Sequence, residues 1–230
     1  MNRRAATIIL LVLCVLPFVI TAIGMQFLPD SVPMHYDFAG NVDRWGSKYE
    51  NFILAAVFSG SGLLMLLIAK LAVKLTDTDE EREKAKSNEK IVLYSGIGMM
   101  VLFCVLQASF LAENYKETVL GLPASMEMGW NITGVGMGIL MIIMGNYMPK
   151  AKRNSAVGVR TTWSMSSDEA WAKSQRFGGK VFVIGGIELC ILTGLLKGLV
   201  IIWALLAVVL IAAAVCVYYS YRVGGQKQEG

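Results

Sequence analysis

Residues 199–221 read LVIIWALLAVVLIAAAVCVYYSY, a run without a single charge. At 1.5 Å per residue such a run spans about 35 Å as a helix, enough to cross roughly 30 Å of bilayer hydrocarbon. Working back along the chain, five more apolar stretches occupy 5–28, 52–69, 91–112, 129–148 and 181–196. Across all six, Glu188 is the one charged residue. The 230 residues are 55% hydrophobic and 17% charged, with a mean hydropathy of +0.56, whereas a soluble domain carries about 25% charge. That composition excludes a disordered chain and argues against an ordinary soluble enzyme. In lipid only helices and closed barrels satisfy their own backbone. The pattern therefore predicts an all-α membrane protein with six transmembrane helices.

Charge placement sets the expected orientation. With the N-terminus in the cytoplasm, 17 of the 21 Lys and Arg fall on the inner side, and Arg44, Lys48, Lys116 and Lys197 on the outer. This fits the positive-inside rule and puts both termini in the cytoplasm. The net charge of +4 is explained by this asymmetry, so it is no sign of direct nucleic-acid binding. The first run follows Arg3 and Arg4 but is too long for a signal-peptide core of about 7–15 residues. It reads as an uncleaved first helix. Cys14, Cys104, Cys190 and Cys216 all lie inside apolar runs without paired spacing, which suits packing rather than disulfides or zinc.

The expected organisation is three helical hairpins. Residues 1–75 form the first, with an outer loop at 29–51. A charged cytoplasmic loop follows at 76–90, where Glu80 and Lys84 have favourable helical spacing. The second hairpin covers 91–148, a basic cytoplasmic loop 149–180, and the third hairpin with a short tail 181–230. In the outer loop, Pro29 and Pro33 favour an extended start. Gly40, Asn41 and Asp43 supply turn chemistry. Ser47 and Glu50 have capping-box spacing, which starts the second helix near Lys48. His35 is the sole histidine. With Asp37 and Asp43 it makes a weak cation-binding set that matches no known cage, so no metal and no cofactor are expected.

Gly134 and Gly138 in the fourth run form G-x-x-x-G, which reads as close helix packing. The loop 149–180 holds seven basic residues and two acidic ones. Ser166 and Glu169 predict a short interfacial helix over about 167–177, ended by Gly178 and Gly179. Trp171 and Phe177 beside Lys173, Arg176 and Lys180 suit anchoring to anionic lipid. They equally suit docking of a cytoplasmic protein. Glu188 lies roughly 12 Å into the fifth span, where an unpaired ionised group costs at least about 2.5 kcal/mol. It reads either as a relay or binding contact, or as a hydrogen-bonded fastener with Gln107 or Asn131 as partner.

Two motifs carry a family resemblance. Pro29, Pro33, His35, Gly40, Asp43, Gly46, Ser47 and Lys48 resemble the proline–histidine–glycine outer motif of many small bacterial membrane proteins. Asn154, Gly158, Arg160, Thr161, Trp163, Ser164, Trp171, Arg176, Gly178 and Gly179 resemble the inner-loop signature of the SDP-toxin immunity protein family. Thr162, Met165 and Gln175 stand where that family often has Pro, Leu and His. The resemblance implies a multi-pass protein of the bacterial cytoplasmic membrane that protects its producer from a secreted, membrane-active peptide toxin. In the best-known members the protein also signals, by holding a small winged-helix repressor at the membrane. On this reading the outer motif is a toxin contact or structural, and the inner motif docks the partner. The competing functions are a small proton- or ion-coupled secondary transporter or channel, resting on Glu188, and an enzyme. The enzyme reading lacks a nucleophile–base set, and no repeat or proline-broken span supports a transporter.

Overall fold

The computed structural model describes residues 2–37, 41–123, 126–154 and 157–225. Helix α1, Arg3–Gly24, starts where the Asn2 side chain accepts the Ala5 amide at 2.8 Å. It runs unbroken through Pro17. Proline has no N–H, so the carbonyl four residues back loses its helical donor. Here that carbonyl, Leu13, faces the Cys104 thiol at 3.9 Å. Helices α2 (Asn51–Lys74), α3 (Asp79–Thr118), α4 (Glu127–Tyr147), α5 (Asp168–Leu195) and α6 (Val200–Gly224) follow. Among the described residues, six helices are thus long and apolar enough to cross a membrane.

The chain departs from an all-helical architecture in one place. Between α1 and α2, strands β1 (Ser31–Tyr36) and β2 (Val42–Ser47) form an antiparallel hairpin, with Val32 opposite Gly46 and Pro33 opposite Trp45. The prolines that suggested an extended start lie before and within β1. Ser47 and Glu50 then make the expected cap: the Tyr49 amide donates to Ser47 Oγ, and the Ser47 amide donates to Glu50 Oε1 at 2.9 Å. A 3-10 turn over Lys48–Glu50 leads into α2.

The helices form two groups of three. Helices α1, α2 and α3 pack together around Leu10, Ala69, Leu93 and Met100. Helices α4, α5 and α6 pack around Met141, Leu189 and Val208. The groups meet along α3 and α4, where Phe58, Leu102 and Leu106 contact Ile132, Met137 and Leu140. Large apolar residues such as Val12, Leu64, Leu210 and Ile211 face outward. A soluble protein does not expose apolar surface on that scale. Together with the six spans, this gives a multi-pass membrane protein.

Helix α3 has 40 residues, about 60 Å, twice the bilayer core. Its charged first turns, including the Glu80–Lys84 pair at 2.6 Å, extend beyond the span as helix rather than loop. Helix α5 corrects a second expectation. Its N-cap is Ser167, which accepts from Ala170, not Ser166. The helix continues through Gly178 and Gly179, so no separate interfacial helix ends there. These glycines serve packing instead: a Cβ on Gly179 would come within 2.6 Å of the Gly145 carbonyl of α4. One turn-set further along, Gly138 and Gly186 meet in the same manner. Small residues on both helices let the backbones touch, as close packing in lipid requires.

Candidate functional site

The two sequence motifs lie at opposite ends of the bundle. At one end the hairpin is held from both sides. His35 Nδ1 and Asp43 Oδ1 are 2.6 Å apart across the strands, both exposed. Asp37 accepts from the backbone and side chain of Asn41, closing the turn. That commits Asp37 and Asp43 to loop structure, and among the described residues no three His, Cys, Asp or Glu cluster for a metal. Arg44 bonds Glu50 at 2.9 Å. The Lys48 ammonium reaches the Leu28 carbonyl and Asp30, locking the hairpin base. Val32 packs on Leu28 and Leu111, which seats the hairpin on α3. Pro33 is buried and Pro29 exposed. Gly40 lies outside the described residues.

Beneath the hairpin is a cavity of about 770 Å³. It is bounded by β1, the first turns of α2, the end of α3, the start of α4 and the α5–α6 turn. Tyr36 contributes to its lining, while its hydroxyl is buried beside Glu117 and Glu113 of α3. Burial, then the charges of Glu117 and Glu113 and a hydrogen bond to Glu117, push the Tyr36 phenol well above its usual range, so it stays protonated. Deeper, Gln107 donates to Thr21 Oγ1 at 2.8 Å and towards the Asn51 carbonyl. It therefore ties α3 to α1 and α2, and the expected pairing of Gln107 with Glu188 is absent.

At the other end the loop between α4 and α5 is ordered by the motif residues themselves. Asn154 Oδ1 accepts the Val157 amide at 2.7 Å. Gly158 has φ +107°, a region that other residues rarely adopt, and a side chain there would strike the Gln175 amide. Gln175 pairs with the Val159 peptide in both directions, accepting from its N–H at 3.0 Å and donating to its C=O at 2.9 Å. Ser164 Oγ accepts from the Thr161 amide and donates to the Val159 carbonyl. Thr161 Oγ1 meets Ser220 Oγ at 2.8 Å, and the Trp163 ring sits edge-on to Tyr221 at 5.1 Å, so the loop is latched to α6. Trp171 is buried, with its indole N–H on the Ala151 carbonyl at 2.8 Å.

Most of the inner motif is therefore architecture. Arg160 and Arg176 are the exceptions: both are exposed and make no ion pair or hydrogen bond among the described residues. The remaining partner in the loop was not read from the sequence. Asn88, on the extension of α3, pairs with the Lys152 peptide in both directions at 3.0 Å. Nothing in a charged helical stretch marks one asparagine for that role, and only the fold brings positions 64 apart together.

The comparisons follow this division. The SdpI/YfhL protein family matches residues 150–220, the α4–α5 loop and the helices behind it. The Domain of unknown function (DUF1648) matches residues 12–58, which contain the hairpin. The "Immunity protein SdpI" of Bacillus subtilis (strain 168) is 27% identical over 215 residues, covering 94% of both chains. The chain is thus similar to SdpI along nearly its whole length. An "Uncharacterized protein" of Archaeoglobus fulgidus shares 46% identity over 48 residues, 21% of this chain and 26% of that protein. No solved structure matches. That similarity and the six spans make this chain a multi-pass protein of the cytoplasmic membrane.

Glu188 is placed differently from either sequence reading. It lies on the outer surface of α5, in line with Ile184, Ile187 and Ile191, and no described group bonds it. Asn131 is on another helix, α4, and makes no bond to it. The carboxyl faces the hydrocarbon rather than a pathway inside the bundle.

Proposed function

We propose that this chain is an immunity protein that protects its producer from a secreted, membrane-active peptide toxin. The supporting observation is the similarity to an immunity protein over 94% of both chains, spanning the hairpin and the inner loop together. The cation distribution supports cytoplasmic termini, which puts the hairpin outside and the 149–180 loop inside. The hairpin end is then the surface that meets toxin. The ordered inner loop, with Arg160 and Arg176 exposed beside Trp163, suits docking of a small winged-helix repressor. A two-state relay requires toxin to bind one arrangement of the bundle more tightly.

Expression of the chain in a toxin-sensitive cell tests the main reading. Survival under challenge by a secreted peptide toxin is expected, and death at the same dose as empty-vector cells overturns it. Replacing Arg160 and Arg176 with Ala should abolish repressor recruitment while survival persists. Unchanged recruitment removes the docking role from these residues. Outward placement of Glu188 gives no support to a transport path through the bundle.

A further inference from the structure

We infer that the cavity under the hairpin is a binding site for an amphipathic peptide segment, taking apolar side chains into its wall and a cationic group at its rim. The identity of that peptide as the toxin rests on the immunity reading; the chemistry of the site does not. Leu54 and Val57 of α2, Phe110 of α3, Trp130 of α4 and Leu199 before α6 make the wall apolar. Val57 and its neighbour Ile53 are also exposed to the outside of the bundle, so the cavity opens sideways towards lipid. From Asn51 to Val57 it descends about 9 Å along α2, within one leaflet. A peptide already dissolved in the membrane reaches it without crossing water.

The polar groups define the rest of the ligand. Asp37, Glu50 and Glu127 line the cavity with Arg44, which bonds Glu50, and His35, which bonds Asp43; Asp37 accepts from Asn41 and Glu127 from the Gly198 amide, neutral donors that leave the carboxylate charge in place. That surplus of carboxylates favours an ammonium and opposes a phosphate headgroup. Asn114 is 4% exposed and lines the cavity, yet no hydrogen bond engages its side-chain amide among the described residues. Buried polar groups are normally bonded, and the Asn114 amide can pair with the backbone groups left open at the end of a helical peptide. The volume of about 770 Å³ lies within the roughly 300–1,000 Å³ of ligand pockets, room for a few side chains but not for a helix.

The test uses the full chain in phosphatidylglycerol–phosphatidylethanolamine vesicles, with a benzoylphenylalanine photocrosslinker replacing Val57 or, as a lipid-facing control, Ile211. The probe is a synthetic N-acetylated apolar peptide of about 20 residues with one Lys at its end; a second peptide has Gln there. The Lys peptide should crosslink from Val57 and not from Ile211, about tenfold more than the Gln peptide. Asn114→Leu should cut that yield severalfold without lowering the melting temperature, since the amide has no internal partner to lose. Equal labelling at Val57 and Ile211, or of both peptides, overturns the site. So does a phospholipid that co-purifies, labels from Val57 and resists displacement. Survival under toxin challenge is scored separately: its failure removes the immunity reading, while the crosslinks still decide the cavity.

Discussion

Gln175→Leu should release the inner loop from α5. Gln175 is 1% exposed, and leucine, one atom shorter, fills most of its space, so the main change is the loss of two hydrogen bonds. The Val159 carbonyl keeps its second donor, Ser164 Oγ at 2.8 Å. The Val159 N–H keeps nothing. An orphaned buried donor costs about 1–3 kcal/mol. Taking about 2 kcal/mol, the open form of the loop rises about 30-fold. Trypsin reads that population directly, because cleavage after the exposed Arg160 needs an extended segment and reclosing is fast. In inside-out vesicles, cleavage at Arg160 should accelerate about 30-fold. Arg176→Gln, one residue along, removes an exposed side chain with no bonds and should leave the rate unchanged. A Gln175→Leu rate within about threefold of the parent would refute the claim that this amide holds the loop.

Gly138→Ala places a Cβ 2.7 Å from the Gly186 carbonyl, forcing α4 and α5 apart at a cost of about 1–3 kcal/mol. Melting in detergent should fall, whereas Gly194→Ala, where a Cβ meets nothing within 4 Å, should not change it. Glu188→Leu removes an unpaired carboxyl from the lipid face, so the fold should be unharmed or more stable; a marked drop in melting temperature would show a partner for Glu188 in the membrane. Trp171→Phe keeps one aromatic ring but loses the rest of the buried indole and leaves the Ala151 carbonyl without its donor, and should cost about 2–4 kcal/mol by thermal unfolding. Loss of protection in the toxin challenge with unchanged melting would instead give the indole a direct role.

The six spans, their order and the Ser47–Glu50 cap were legible because each rests on local chemistry. Apolar length decides a span whatever the neighbours, and Ser47 with Glu50 caps a helix through bonds that reach no further than three residues. Even there, local signals misled at two points. Proline and turn residues in 29–51 marked extended chain but not strand pairing, since Ser31 finds Ser47 only when the turn closes. Gly178 and Gly179 look like a helix stop in isolation; in the bundle their missing side chains admit the α4 backbone, and that contact outweighs the weak helix propensity of glycine.

The division of the motifs into structure and surface was beyond sequence. Asn154, Gly158, Thr161, Ser164 and Gln175 share a stretch with Arg160 and Arg176, and nothing in their order says which hold the loop and which are left over. A hydrogen bond is decided at 3 Å, and its partner here is often a backbone group on another segment, as with Asn88 and Lys152. Glu188 shows the same limit: its depth follows from counting residues, but which way it faces follows from the rotation of α5 against α4 and α6. Sequence alone determined that the chain crosses a membrane six times, because transfer into lipid depends on composition and length. Tertiary structure alone decided which polar groups are spent on one another and which, at Asn114, Arg160 and Arg176, remain to meet something else.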